Sequence, residues 1–526
     1  MAEPRRHPSL FEPGTLLFGA GLALLGAIIG MELLTRVGIT PNSSIIAAVI
    51  AIAVGRLPLA LTRRFRSTAR QNLLQTVISA ATFGGANAVL LPAGMVWLFG
   101  RPDLVPVMIL GAVLGALLDI ALLYRLFGSQ VFPAEGLWPS GIATAECLRA
   151  GDEGGPRAML LLAGGAAGVL GRFAGIPTDI VGVCWIGNQV ALLMFGLGLL
   201  ARGYAPQVLG LDLAAIHAPH GITLGAGAVA LWQMARAIRG RKGPQTSVPA
   251  TGPRPGLPTF AKGYSGFAAA AALVAVLGGL ATGMGIPGVL AFALFAAAAA
   301  LISELLCGVA AMHSGWFPAF ATSLIFLLLG MLLGFPPLAL VLLTGFASAT
   351  GPAFADMGYD LKAGWILRGH GEDPDYERQG RLAQRGAEVF GLLVAAGLVL
   401  LTYASYFEAD LFPPYDRVAV ATIAAGHNPD LASQLAVWAL PGAVLQFLGG
   451  ANRQMGVLFA TGLLVVNPIA GWTALAALLV RRLVSWRTGD RYDSPRYILA
   501  GGLIAGSALT SFFSGVASGM FSRRVP

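Results

Sequence analysis

Apolar runs of membrane length follow one another almost without pause from Gly14 onward, and this pattern limits what the chain can become. A helix crossing a bilayer needs roughly 20 apolar residues. About fifteen candidate segments occur, several of them broken, which predicts about 14–16 crossings. Composition agrees: 56% of residues are hydrophobic and 11% charged, against roughly 25% charged in an ordinary soluble protein. Hydrocarbon satisfies no backbone polar group, so the expected fold is an all-α polytopic membrane protein with the bilayer as its first partner.

The formal net charge of +9 is distributed as topology, not as a polyanion-binding surface. Arg63, Arg64, Arg66 and Arg70 form one cluster at a span end; Arg236, Arg239, Arg241 and Lys242 form a second, and Arg481, Arg482 and Arg487 a third. This is a positive-inside pattern. No basic stripe alternates with aromatics, so nucleic acid is not an expected partner. Arg5 and Arg6 precede the first run, Gly14 to Leu34, which has no small-residue cleavage site. The N-terminus is therefore expected in the cytoplasm, followed by a retained span. Cys147, Cys184 and Cys307 show no C-x-x-C spacing, which argues against a disulfide framework or a zinc site.

Residues 241–262 are rich in Pro, Gly and polar residues and read as a cytoplasmic linker between two transmembrane halves, 1–240 and 263–526. Glu32-Leu33-Leu34 and Glu304-Leu305-Leu306 each stand about a dozen residues before another apolar run. Counting crossings puts Glu32 at an outer span end and Glu304 at an inner one, the arrangement of an inverted, pseudo-symmetric repeat. Three runs are broken: at Gly84-Gly85-Ala86-Asn87, at His217-Ala218-Pro219-His220 and at Asn467-Pro468. Broken or re-entrant helices free backbone groups and can aim half-helix dipoles at a solute.

Two segments put ionisable groups among such breaks. Val131 to Ala150 carries Glu135, Glu146 and the Pro139-Ser140-Gly141 break. Non-helical backbone and charge at membrane depth persist only where protein or a water-filled cavity satisfies them, so Trp138, Pro139, Ser140, Gly141 and Thr144 are expected to line a substrate pathway. Glu146 ranks first as proton carrier, with the alternative that it caps a helix beside Arg149. In Ala347 to Arg368, Asp356 and Asp360 stand at i,i+4 on one helix face. Carboxylates that close compete for one proton, although Lys362 offers them neutralisation instead. Glu304 is a further proton-coupling candidate. His313 and Gly351, in polar breaks, are expected on the pathway, as is Gly456. Arg172 and Asp179 read as interfacial anchors. His217 and His220 lack a third ligand, so no metal or other cofactor is expected.

Trp138-Pro139-Ser140-Gly141-Ile142-Ala143-Thr144-Ala145 resembles the F-P-S-G-T-A-T-A signature of the oligopeptide transporter family, with Trp138 and Ile142 departing from it. Three further stretches are similar to that family in the same order: Gln71-Asn72-Leu73-Leu74-Gln75-Thr76, then Asp360-Leu361-Lys362-Ala363-Gly364, then Met455 to Leu463. The resemblance implies a secondary active transporter of small peptides or, as in the yellow-stripe-like branch, metal chelates. Proton symport by alternating access is the expected mechanism. The excess of Arg over Lys and the abundance of Ala suit a GC-rich bacterial genome, and with it an inner-membrane location. A homo-oligomer is compatible with this. No G-x-x-x-x-G-K-[ST] motif provides an ATP-driven motor. The alternatives are a membrane-embedded transferase using Asp356 and Asp360 to bind Mg²⁺, and a passive channel.

Overall fold

The computed structural model describes residues 6–36, 38, 42–238, 255–317, 319–426 and 429–522. Among them every regular element is helical, apart from a single bridge between Phe127 and Phe132. The first half of the chain contains α1 (Pro13–Arg36), α2 (Ser43–Arg56), α3 (Thr68–Phe83), α4 (Leu91–Leu98), α5 (Val105–Leu126), α6 (Pro139–Glu153), α7 (Gly155–Phe173), α8 (Thr178–Ile186), α9 (Gln189–Val208) and α10 (Ala218–Ile238). Then come α11 (Leu257–Leu277), α12 (Leu280–Ser314), α13 (Ala319–Leu332), α14 (Pro337–Ala349), α15 (Pro352–Leu367), α16 (Pro374–Glu408), α17 (Pro414–Ala425), α18 (Pro429–Arg453), α19 (Met455–Leu464), α20 (Pro468–Thr488) and α21 (Asp493–Ser522).

Ten helices among the described residues are long and apolar enough to cross a bilayer, and α2, α13 and α19 are shorter apolar helices. Large apolar side chains such as Leu170, Phe173, Ile286, Leu401 and Trp486 lie on the outside, more than two-thirds exposed. Outward apolar faces of this extent suit lipid. The interior is packed with apolar side chains, yet it also holds the carboxyl groups of Asp119, Glu304, Asp356, Asp360, Glu388 and Asp416, each at most 4% exposed.

The three expected breaks take different forms. At Asn467-Pro468 the chain does break: α19 ends at Leu464 and Asn467 caps α20 by accepting the Ala470 N–H. At Gly84 to Leu90 the helix continues through a π-helical turn, so that α3 and α4 form one 31-residue crossing. The glycines there admit close neighbours, Gly85 against Ala27 of α1 and Gly84 against Leu392 of α16. At His217 the break lies at a helix start: His217 has φ +52° and α10 begins at Ala218. Most of the expected linker lies outside the described residues, and α11 already begins at Leu257.

The order of element lengths recurs along the chain. α2 and α13 each have 14 residues. Thr68–Leu98 and Pro337–Leu367 each have 31. α8 and α19 have 9 and 10, and α9 and α20 have 20 and 21. Packing follows the same rule, since α7 and α8 lie against α21 as α18 and α19 lie against α10. The recurrence sets α1–α10 beside α12–α21 and leaves α11 over. Glu32 and Glu304 do not sit alike: Glu32 pairs with Arg36 in the last turns of α1, whereas Glu304 is fully buried about three turns before the end of α12.

Candidate substrate cavity and buried carboxylate cluster

A cavity of about 420 Å³ lies where elements of both halves of the chain meet. Its wall includes Leu33 and Arg36 at the end of α1, Asn42 and Ser43 at the start of α2, and Phe83 and Asn87 beside the π turn. Trp316, Phe317, Ala319 and Phe320 come from the link into α13 and its first turn. Arg172, Asp179, Thr461, Asn467 and Ser507 complete it from α7, α8 and α19–α21. The starts of α2, α8, α13 and α20 all border this space. Helix N-termini carry partial positive charge, so the cavity suits a solute with an anionic end. Arg172 and Asp179, expected as interfacial anchors, stand instead in this wall.

Asp356 and Tyr359 of α15 form part of the same wall. Ser43 Oγ donates to Asp356 Oδ1 at 2.5 Å, and Ser79 Oγ to Asp356 Oδ2 at 3.0 Å. Behind it, Ser44 Oγ and Gln75 Nε2 each donate to Asp360 Oδ1 at 2.6 Å. Glu388 of α16 joins the two aspartates: one oxygen from each of the three carboxyl groups lies within 4.8 Å of the others. No Lys or Arg makes an ion pair with any of them among the described residues. Asp360 Oδ2 and Glu388 Oε1 have no other hydrogen-bond partner. Three uncompensated carboxylates at this spacing would repel strongly in a buried site, so the group must hold protons or a cation. The oxygen-only donor set would fit a hard cation, the ligand that the alternative transferase reading assigned to Asp356 and Asp360.

Lys362 does not neutralise the pair, which was the alternative to proton sharing. Its Nζ donates to the Ala134 carbonyl at 2.8 Å and lies 4.4 Å from the Trp365 ring centroid. The reason is geometric: Lys362 follows Asp360 by two residues and leaves the helix on another face.

The Trp138 to Glu146 segment lies beneath the cavity, not in its wall. Trp138 is fully buried at φ +38°, donates its N–H to the Met312 carbonyl and its Nε1–H to the Pro133 carbonyl, and packs on Phe132 and Tyr359. Pro139 opens α6 against Gly315, and Gly141 lets α6 approach the Tyr359 carbonyl of α15. Ser140 accepts from Asn42 Nδ2 at 2.5 Å, and Thr144 donates back to the Ser140 carbonyl. His313 is buried with Nε2 unpartnered. Gly351 marks the break between α14 and α15, and Gly456 is a close-packing position against Gly442 and Gln446 of α18. None of these eight residues borders the cavity; Trp138, Pro139, Ser140 and Gly141 touch its wall from behind, through Tyr359, Gly315 and Asn42.

Glu146, ranked first for the proton, has its oxygens occupied. It pairs with Arg157 at 2.5 Å and Arg149 at 3.4 Å and accepts from Ser494. Arg149 was visible in the sequence at i+3; Arg157 and Ser494 reach it only through the fold. Glu146→Gln is expected to lower the melting temperature in thermal unfolding by weakening this partly exposed network, about 1 kcal/mol.

The residues missed in the sequence are Ser43, Ser44, Ser79 and Glu388. Gln75 was noted only as part of a family stretch. His217 and His220 have ring centroids 5.6 Å apart, with no third Asp, Glu, His or Cys completing a group among the described residues. The three cysteines are free and buried.

No curated protein and no solved structure matches the chain. The family model described as OPT oligopeptide transporter protein matches residues 14–251 and 259–518. A cavity shared by both halves, buried carboxylates at its edge and a match over nearly the whole length lead to one conclusion: this chain belongs to the oligopeptide transporter family, whose members are membrane transporters and not enzymes.

Proposed function

We propose that the protein is a secondary active importer of a small peptide or a peptide-like metal chelate, working by proton symport and alternating access in a bacterial inner membrane. Its two halves, residues 1–240 and 263–526, would be inverted repeats joined by a cytoplasmic linker at 241–262. The observation that carries this reading is Asp356, which belongs both to the cavity wall and to the buried carboxylate cluster. A proton taken up there changes the charge that the solute meets, so solute and proton affinities are linked.

The direction of opening follows from the positive-inside pattern. Gly14, at the start of α1, lies against Arg64, whereas Arg36, at its far end, borders the cavity. A 24-residue helix is about 36 Å long, so the two lie on opposite sides of the membrane. With Arg63 to Arg70 in the cytoplasm, the cavity faces outward and is placed to receive solute for import. Its volume falls within the range of small-ligand sites, roughly 300–1,000 Å³. Arg36, Arg172 and the helix N-termini suit a carboxylate end, and Asp356 suits an amine or a metal-bearing end.

Thermal unfolding of the purified protein with a panel of di- and tripeptides and of amino-carboxylate metal chelates tests the solute class. A genuine solute at 100 times its Kd stabilises by ~2.7 kcal/mol, and Ala319→Trp, which fills the cavity, is expected to abolish that gain. Stabilisation that survives Ala319→Trp would place binding elsewhere.

A further inference from the structure

A second group of buried acids lies apart from the cavity, at the break between α14 and α15. Thr350 is extended and Gly351 has φ +90°, so the first N–H groups of α15 have no partner within the helix, and no side chain of α15 itself caps it. Asp119, from the middle of α5, supplies the cap across the bundle. Its Oδ2 accepts the Gly351 N–H at 2.6 Å. An anion is favoured at a helix N-terminus, so the ionised carboxylate of this group belongs on Asp119.

Gly351 lies against Ser303 and Cys307 of α12, on either side of Glu304 in the sequence, which brings the Glu304 carboxyl to the same break as Asp119, close enough for the two charges to repel. Both side chains are 0% exposed. Apart from each other, Asp119 Oδ1 and both oxygens of Glu304 have no hydrogen-bond partner among the described residues. The other titratable group facing them is the Cys307 thiol, one turn along α12, with Tyr359 of α15 beyond it; neither supplies positive charge. Two oxygen acceptors cannot bond without a hydrogen between them. Two bare carboxylates in this enclosure would leave uncompensated buried charge.

We infer that Asp119 and Glu304 form a second proton-binding site, distinct from the Asp356 cluster, in which Glu304 holds the proton and donates it to Asp119. The proton keeps Asp119 in place over Gly351 and so latches the break. Its loss sets two like charges against one another and frees the start of α15, the helix that carries Asp356 and Asp360 one and two turns further on. The two acid sites thus bear on the same short helix from different ends.

Infrared spectroscopy of the full-length protein in nanodiscs, with amide exchange followed in parallel, tests this without any transport substrate. The wild-type protein should show the carbonyl stretch of a protonated carboxylic acid at neutral pH. Glu304→Gln should remove one component of this absorption, a component that the variants Asp356→Asn and Glu388→Gln retain. Exchange at residues 351–355, corrected for intrinsic chemistry, should rise with pH in the wild type and stay flat in Glu304→Gln, whose neutral amide preserves the latch. If Glu304→Gln fails to fold, ¹³C-glutamate labelling of Glu388→Gln protein should shift the same band. A carbonyl absorption left unchanged in folded Glu304→Gln, or one that ignores the label, overturns the assignment. A band erased by sodium ions at fixed pH also overturns it, in favour of a metal cation.

Discussion

Asp356→Asn is expected to reduce concentrative uptake by roughly tenfold or more, the scale of a typical coupling free energy, while solute exchange across the membrane continues. Asparagine keeps an oxygen that can accept from Ser43 and Ser79, so the cavity wall retains its shape. What it removes is the carboxyl group proposed to carry the proton. Exchange needs no net proton movement and therefore survives, whereas uphill accumulation needs the solute to meet a different charge on each side. Asp360→Asn should act in the same direction, because Asp360 and Glu388 share the cluster with Asp356. Parallel measurements of pH-driven uptake and of counterflow in proteoliposomes separate the two activities; equal loss of both would assign Asp356 to solute binding alone.

Trp138→Ala is expected to destabilise the protein by about 3–5 kcal/mol, the usual cost of deleting a large buried ring. The Trp138 ring lies among Phe127, Phe132 and Tyr359, and it fills the space that Gly358 of α15 leaves open. Its removal would leave α15 without support on the side away from the cavity. A phenylalanine, the residue usual at this place in the family signature, keeps most of the ring and should cost much less. Detergent-solubilised yield and thermal unfolding of the two variants provide the comparison. Similar stability in both would mean that α15 is held mainly from its other side.

The membrane class was legible in the sequence because hydrocarbon leaves the backbone almost no alternative to helices. The break at Asn467-Pro468 was legible for a related reason: proline lacks the N–H that a continuing helix needs. The carboxylate cluster was only half legible. Asp356 and Asp360 announced themselves by their i,i+4 spacing, but their partners lie far away in the chain. Ser43 meets Asp356 across 313 positions and Gln75 meets Asp360 across 285. Helical periodicity carries no information about such contacts. Ser43 and Ser79 also look like ordinary small residues in apolar helices, and Glu388 like the polar start of a long span.

The same limit explains the different place taken by the Trp138 to Glu146 segment. Polar and non-helical character at membrane depth implied that its groups must be satisfied, and they are. Whether water or protein satisfies them depends on what packs there. Asn42, Gly315, Met312 and α15 reach Ser140, Pro139, Trp138 and Gly141, so protein takes the place expected for water.

Proton entry during solute uptake tests the central claim most directly. Wild-type protein in proteoliposomes containing a pH-sensitive dye, with no imposed gradient, is given an outside pulse of a peptide or chelate that stabilises the purified protein. Acidification of the lumen in step with uptake is expected, and its loss in Asp356→Asn. Uptake of the solute by the wild-type protein with no acidification, under conditions where a protonophore also has no effect on accumulation, would contradict proton symport through the Asp356 cluster.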